Sequence, residues 1–136
     1  MDFMKTISVA ASGLKAQSGR MRVIAENLAN ADSTANTPGG DPYRRRVPTF
    51  ANRFDRELQA HTVQLGRIRE DQSAFRTRFD PSHPAADENG EVKLPNVNSL
   101  IEQMDMREAQ RSYEANLNLV TATRRMISRT IEILRA

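Results

Sequence analysis

The chain contains no cysteine. Disulfides, thiolate metal sites and cysteine nucleophiles are therefore excluded. Tryptophan is also absent, and aromatic residues fill only 5% of the 136 positions. With a hydrophobic share of 38%, the core must be lean. No stretch approaches the roughly 18 consecutive apolar residues of a membrane-spanning helix. The N-terminus makes a poor cleaved secretory signal. Asp2 sits where positive charge belongs, and the short apolar run from Ile7 is broken by Ser8 and Ser12. Any export is expected to use a route without a cleaved leader.

Motifs for chemistry are equally scarce. Ser12 and Lys15 have the S-x-x-K spacing of serine acyltransferases, but the accompanying motifs are missing. His61 and His83 are far apart, and neither has a second ligand at helical spacing. Asp87-Glu88-Asn89-Gly90 resembles part of a calcium loop. Aligning Gly90 with the loop glycine, however, puts Ala85 and Asn96 where the first and last carboxylate ligands belong. A hairpin turn is the better reading. There is no phosphate loop, dinucleotide fingerprint or nucleophile elbow. The sequence therefore points to a protein that is not an enzyme, with no catalytic residues, cofactor, metal or small-molecule ligand.

What the chain does have is heptad spacing at both ends. Met4, Ile7, Ala11, Leu14, Ser18, Met21, Ala25 and Leu28 recur at alternating steps of three and four. So do Met106, Tyr113, Leu117, Val120, Ile127, Ile131 and Leu134, with Gln110 and Arg124 in the remaining slots. That spacing is the seam of a coiled coil. It predicts an N-terminal axial helix within residues 1–35 and a C-terminal one within 98–136. Leu119, Met126 and Ile133 widen the C-terminal stripe, and Asn116, Thr123 and Thr130 lie within it and need hydrogen-bond partners if buried. In the first helix a thinner apolar line runs through Val9, Ala16 and Val23. At 100° per residue it falls nearly opposite Ile7, Leu14 and Met21. A helix apolar on two faces is usually touched on two sides. One partner helix cannot cover both, so the two lines are expected to serve different neighbours.

The middle, 36–97, reads as a linker and a small antiparallel β unit. Asn36, Pro38, Gly39, Gly40, Asp41 and Pro42 crowd into a turn-rich segment. Arg44 to Phe50 permits a strand. Phe50, Phe54 and Leu58 step by four and permit a short helix. Val63 to Arg69 and Phe75 to Phe79 alternate as strands do, and Asn89-Gly90 is a hairpin signal before Val92 and Leu94. Ser99 followed by Glu102 predicts a capping box opening the last helix. The fold class expected is mainly α with a small β insert.

The net charge is +3, with acids interspersed among the basic residues, which is not a nucleic-acid stripe. Arg44, Arg45 and Arg46 form the only dense basic run, read as a solvated strand edge. A basic nucleic-acid-binding module built on those arginines is the alternative; its affinity would fall steeply with salt. A coiled-coil adaptor of a secretion system that never polymerises is a second.

Asn27-Leu28-Ala29-Asn30, followed by Gly39-Gly40-Asp41-Pro42-Tyr43-Arg44-Arg45, resembles the N-terminal signature of bacterial flagellar rod and hook axial proteins. Asp80-Pro81-Ser82-His83-Pro84, Ala86-Asp87, Gly90, Val92 and Pro95-Asn96-Val97-Asn98 narrow the resemblance to the proximal rod. Arg111-Ser112-Tyr113-Glu114-Ala115-Asn116 is similar too. The wider family often has N-T-P-G-Y; here Gly40 follows Asn36-Thr37-Pro38-Gly39, and the tyrosine comes at Tyr43. The resemblance implies a structural subunit that leaves the cell through the flagellar type III export apparatus. It implies polymerisation through the terminal helices into a torque-transmitting rod that spans the periplasm within the basal body. The implied partners are further copies of the chain, the rod proteins FlgB, FlgF and FlgG, and the junction protein FliE. Nucleic acid is not among them. The assembly interface expected comprises Ile7, Leu14, Met21, Leu28, Val9, Val23, Tyr113, Leu117, Val120, Ile127, Ile131 and Leu134.

Energetics add one expectation. Ordering the backbone costs roughly 1–2 kcal/mol per residue, and each large seam residue returns about 1.5–3 kcal/mol when buried. Gly13 and Gly19 cost about 1 kcal/mol each in a helix interior. The terminal helices are thus marginal alone, and the free monomer is expected to be disordered before about residue 30 and after about residue 100.

Overall fold

A computed structural model describes residues 2–136. Helix α1 spans Phe3–Ala29 and α2 spans Ser99–Arg135; between them lie β1 (Arg46–Val47), β2 (Phe50–Asp55), β3 (Ala60–Leu65), β4 (Arg69–Glu70), β5 (Arg76–Phe79) and β6 (Glu91–Leu94). Helix takes 47% of the chain and strand 18%, the mainly α arrangement with a small antiparallel insert that the heptads imply.

The helix ends show local chemistry at work. Asp2 caps α1: the Lys5 amide donates to Asp2 Oδ1 at 3.1 Å, and the Thr6 hydroxyl donates to the Asp2 carbonyl. At the other end Asn30 folds its side chain back, donating from Nδ2 to the Glu26 carbonyl at 2.8 Å. The cap of α2 is Asn98, not Ser99. The Leu100 and Ile101 amides donate to Asn98 Oδ1 at 3.1 and 3.4 Å, and Ser99 is the first helical residue. Glu102 cannot close the expected box, because its carboxylate is turned inward to Arg45.

The strands form three separate two-stranded antiparallel ribbons, β1–β4, β2–β3 and β5–β6, rather than one β unit. Residues 50–55 are strand, not helix. Phe50, Asn52 and Phe54 pair with Leu65, Val63 and His61, and the Phe54 and His61 rings meet edge-on at 5.1 Å. Period two therefore overrides the apparent period of four. Asp55 then stops the strand, accepting from the Glu57 and Leu58 amides at its Oδ1. The strand expected from Arg44 shrinks to Arg46–Val47, as Pro48 follows with no amide to donate. The run 63–69 stops as strand at Leu65, although the Gly66 amide still donates to the Thr49 carbonyl at 2.6 Å, one step beyond the Phe50–Leu65 pair. Asn89-Gly90 does turn the chain, but as the last turn of the long connection from Phe79 to Glu91 rather than a two-residue hairpin: the Gly90 amide donates to the Asp87 carbonyl at 3.0 Å, Gly90 has φ of +77°, and Asp87 Oδ1 accepts from the Asn89 and Glu91 amides.

Contacts divide the chain into two compact units. The first contains the chain up to Met21, Thr49–Arg67 and Arg107–Ala136; the second contains Arg22–Pro48 and Ile68–Met106. The middle segment is thus shared, with β2–β3 in the first unit and the other two ribbons in the second. The cores differ in character. The first buries mostly small side chains, Ala10, Ala16 and Ala109 among them. The second buries Val23, Ile24, Val92, Leu94 and Val97.

Candidate assembly surface

In the first unit α1 and α2 run antiparallel. Phe3 and Met4 share a recess with Ile127, Gly13 lies against Asn116, and Arg20 pairs with Glu108 at 3.7 Å. The approach at Gly13 is close: a Cβ there would lie 3.0 Å from the Asn116 carboxamide oxygen. At Gly19 a Cβ would meet Leu65 Cδ2 at 2.9 Å, so this glycine admits the β2–β3 ribbon. Ser12 fixes that ribbon further, accepting from the Val63 amide at 3.2 Å while donating to the Val9 carbonyl. Two residues that looked like pure helix cost are therefore packing devices.

The inward face of α1 is the thin line, not the main seam. Val23 and Ala16 are buried and Val9 is half-buried beside the ribbon, while Ala10 and Ile24 extend the buried face. Of the two thin-line residues placed in the expected interface, Val23 is therefore covered within the chain itself, and Val9 is partly covered. The physical reason is size. Ala10, Gly13 and Ala16 let neighbours approach α1 more closely than Ile7 and Leu14 would. The seam is more open: Met4, Ala11, Ser18 and Ala25 are exposed, and Ile7, Leu14, Met21 and Leu28 are half-buried.

The same rule rearranges α2. Tyr113, Val120 and Ile127 sit half-buried as expected, but Leu117 and Ile131 are exposed and Leu134 is 81% exposed. Ala109, Asn116 and Thr123 take the inward slots instead of Gln110, Leu117 and Arg124. Asn116 and Thr123 satisfy themselves, donating to the Ser112 and Leu119 carbonyls one turn back at 3.0 and 2.8 Å. What is left over is a second apolar stripe at heptad spacing: Leu119, Met126 and Ile133, at 46%, 50% and 75% exposure. The half-open α1 seam and this stripe are the surfaces that a neighbour can cover.

The second unit holds a buried polar network that the heptads did not reveal. Asn27 is fully buried, and its carboxamide is fully used. Nδ2 donates to the Arg46 carbonyl at 2.8 Å and to Glu102 Oε2 at 3.2 Å; Oδ1 accepts from the Arg46 amide at 2.9 Å and from the Tyr43 hydroxyl at 2.8 Å. Glu102, also buried, accepts from Arg45 Nε. Arg45 further pairs with Asp71 at 3.6 Å and Asp105 at 3.7 Å. Burial opposes the Arg45 charge, but the three carboxylates outweigh it and raise its pKa. Burial likewise raises the pKa of Tyr43, keeping its hydroxyl a donor to Asn27. The traces of this network in the sequence were Asn27 in the rod-type signature, the arginine run and the glutamate of the failed capping box.

Arg44 and Arg45 are accordingly no solvated edge, while Arg46 stays exposed. Arg44 lies 4.2 Å above the Phe75 ring and donates to the Asp71 and Ser73 carbonyls, Arg45 is the internal strut, and Arg46 pairs with Glu26 at 3.3 Å. A nucleic-acid module on these three side chains has no free guanidinium to use. Among the described residues, no group of three or more His, Asp or Glu is arranged to hold a metal ion, and no helix is long and apolar enough to cross a membrane.

Known proteins carry the same pattern. Residues 7–39 match the family of flagella basal body rod proteins, and residues 88–133 match the C-terminal family of flagellar basal body rod FlgEFG proteins. The flagellar basal-body rod protein FlgC of Agrobacterium fabrum is 49% identical over 128 residues, covering 94% of this chain and 92% of that protein. FlgC of Aquifex aeolicus is 40% identical, with 97% of each chain covered. FlgC of Salmonella typhimurium is 35% identical, with 98% of each covered. Both ends and the middle are matched together, and the chain therefore belongs to the FlgC family of flagellar basal-body rod proteins.

Proposed function

We propose that this chain is a structural subunit of the basal-body rod, one that polymerises through its terminal helices into the proximal rod and transmits torque. The observation that carries the reading is full-length kinship to rod proteins in a chain whose terminal helices leave apolar heptad stripes uncovered. The stripe Leu119, Met126 and Ile133 on α2 and the seam Ile7, Leu14, Met21 and Leu28 on α1 are the contacts between subunits. Close-packed helices make such a shaft stiff, since packed interiors resist deformation. The neighbours are copies of the chain and the other rod and junction components, FlgB, FlgF, FlgG and FliE. Delivery is by the flagellar export apparatus without a cleaved leader, into the part of the basal body that crosses the periplasm.

Met126→Asp tests this. Half-exposed Met126 tolerates a charge in the free chain, whereas burial of an unpaired charge against a neighbour costs several kcal/mol. In a strain lacking its own FlgC, the wild-type gene should restore swimming and Met126→Asp should not, at equal levels of exported protein. Full swimming by Met126→Asp together with Leu14→Asp would sink the reading.

A further inference from the structure

The two units carry opposite charge. The first has twelve basic against six acidic residues, a net of +6; the second has eight against eleven, a net of −3. In the first unit, Arg124, Arg125 and Arg129 line an open recess of about 400 Å³ on α2, together with Thr121, Ser128 and Glu132. Among the described residues none of these arginines has an ion-pair partner, unlike Arg20, Arg45, Arg46 and Arg78. In the second unit, the turn before β6 and the first residue of that strand concentrate Asp87, Glu88 and Glu91. None of these carboxylates is ion-paired either, whereas nearby Asp80 and Asp41 are taken by Arg78 and Lys93. The turn is also rigid. Asp87 Oδ1 accepts two backbone amides at 2.9 Å each, and the Asp80 amide donates to the Gly90 carbonyl at 2.9 Å.

We propose that the Arg124–Arg125–Arg129 recess of one copy receives the Asp87–Glu88–Glu91 turn of the next copy. This inference rests on the rod-subunit reading and adds a contact and a direction to it. Three guanidinium groups face the carboxylates of Glu88 and Glu91 and the second oxygen of Asp87, which gives charge complementarity, with the forked arginine geometry that the two glutamates fit. A contact between different surfaces of identical chains is heterologous; unless the rotation between copies closes a ring, it leaves one free recess and one free turn at the ends. It thereby orients subunits head to tail. The wider charge imbalance steers encounter, while at physiological salt, with a screening length of about 8 Å, only the contacting pairs hold.

The absence of native cysteine makes the test clean. Ser128→Cys in one preparation of the full chain and Asn89→Cys in another are mixed under mild oxidation. Disulfide-linked 128–89 heterodimers should exceed both homodimers on the order of tenfold, for several exposed pairs acting together. Adding Arg125→Glu and Arg129→Glu to the first protein should remove that excess. Adding Glu88→Arg and Glu91→Arg to the second should restore it. Helical circular dichroism verifies that each variant is folded. A crosslinking pattern indifferent to the reversals overturns the proposal, as does capture of the arginine cluster by RNA in preference to the second copy. Swimming separates the two readings: reversals without effect beside a non-motile Met126→Asp defeat this contact alone, and full swimming by Met126→Asp together with Leu14→Asp defeats the rod-subunit reading.

Discussion

Asn27 has two donors and one carbonyl oxygen in its side chain, and all are occupied away from water. Through the amide and carbonyl of Arg46 it does for that backbone what a neighbouring strand would do. Each buried polar group left without a partner costs about 1–3 kcal/mol. Asn27→Ala should therefore destabilise the chain by about 3 kcal/mol, read as a fall in the urea midpoint. Arg45 poses a sharper case, because among the described residues it alone neutralises the buried Glu102. Arg45→Met should cost about 3–5 kcal/mol, whereas the pair Arg45→Met with Glu102→Met should recover most of that loss, since no stranded charge remains. Equal losses in the single and double variants would mean that Glu102 is not held by Arg45. Asp71 extends the network to its solvent side. The Ser73 amide, donating to Asp71 Oδ1 at 2.9 Å, is the main cause of a carboxyl pKa below the ordinary range, with the Ser73 hydroxyl and Arg45 adding to it. Because the folded value is lowered, this contribution is full above the unfolded pKa of about 3.9 and is lost as pH falls through the folded value. An NMR titration of the Asp71 carboxyl should accordingly show a midpoint below that of an unfolded aspartate. A midpoint at or above it would deny the turn its stabilising part.

At the scale of elements, helix spacing is governed by what is missing from the side chains. Gly13 and Gly19 each lower helix propensity, yet each admits a neighbour that a methyl group would press upon. The two differ in how that neighbour can yield. Leu65 meets Gly19 with the end of a flexible chain, so Gly19→Ala should be near neutral, the propensity gain of up to about 1 kcal/mol offsetting a small adjustment. Asn116 meets Gly13 with its whole carboxamide, tied to the Ser112 carbonyl. Gly13→Val should overpack this contact and cost about 1–3 kcal/mol. A thermal melt distinguishes the two, and a stable Gly13→Val would mean that the helices are free to part there. Heptad counting found both helices because periodicity survives any choice of partner. It does not tell which face of α1 packs most closely, because it weighs large apolar residues most, and here the closest packing belongs to alanine and glycine. Phe50 and Phe54 misled for a related reason: residues four apart share a face in a strand as well as in a helix, and only the pairing with His61 and Leu65 decides between them.

For the molecule as a whole, the parts legible in the sequence were those set by local pattern: two terminal helices and turn-marked strands between them. The network joining Asn27, Tyr43, Arg45 and Glu102 links residues up to 75 positions apart, and no local pattern encodes such a meeting. That network changes what the isolated chain should do. Marginal seam energy alone leads one to expect disorder up to about residue 30 and beyond about 100. The buried Val23, Ile24, Asn27 and Glu102, however, tie the second half of α1 and the first turns of α2 to the second unit. The other end of α2 has no such anchor. Every residue from Ser128 to Ala136 is exposed, with Ile133 and Leu134 among the most open apolar side chains. Loss of order in a dilute monomer should therefore begin at the C-terminal end of α2 and spread inward, and should stop short of Glu102. Trypsin should cut first at Arg135, Arg129, Arg125 and Arg124, leaving a fragment that retains the second unit. Hydrogen exchange should show the same gradient, with protection high at residues 99–106 and falling towards 128–136. Incorporation into isolated rods should raise protection at 128–136 to the level of the rest of α2. Uniform protection along α2 in the monomer would show that this helix needs no neighbour. Rapid exchange at residues 99–106 would show instead that the polar network forms only on assembly.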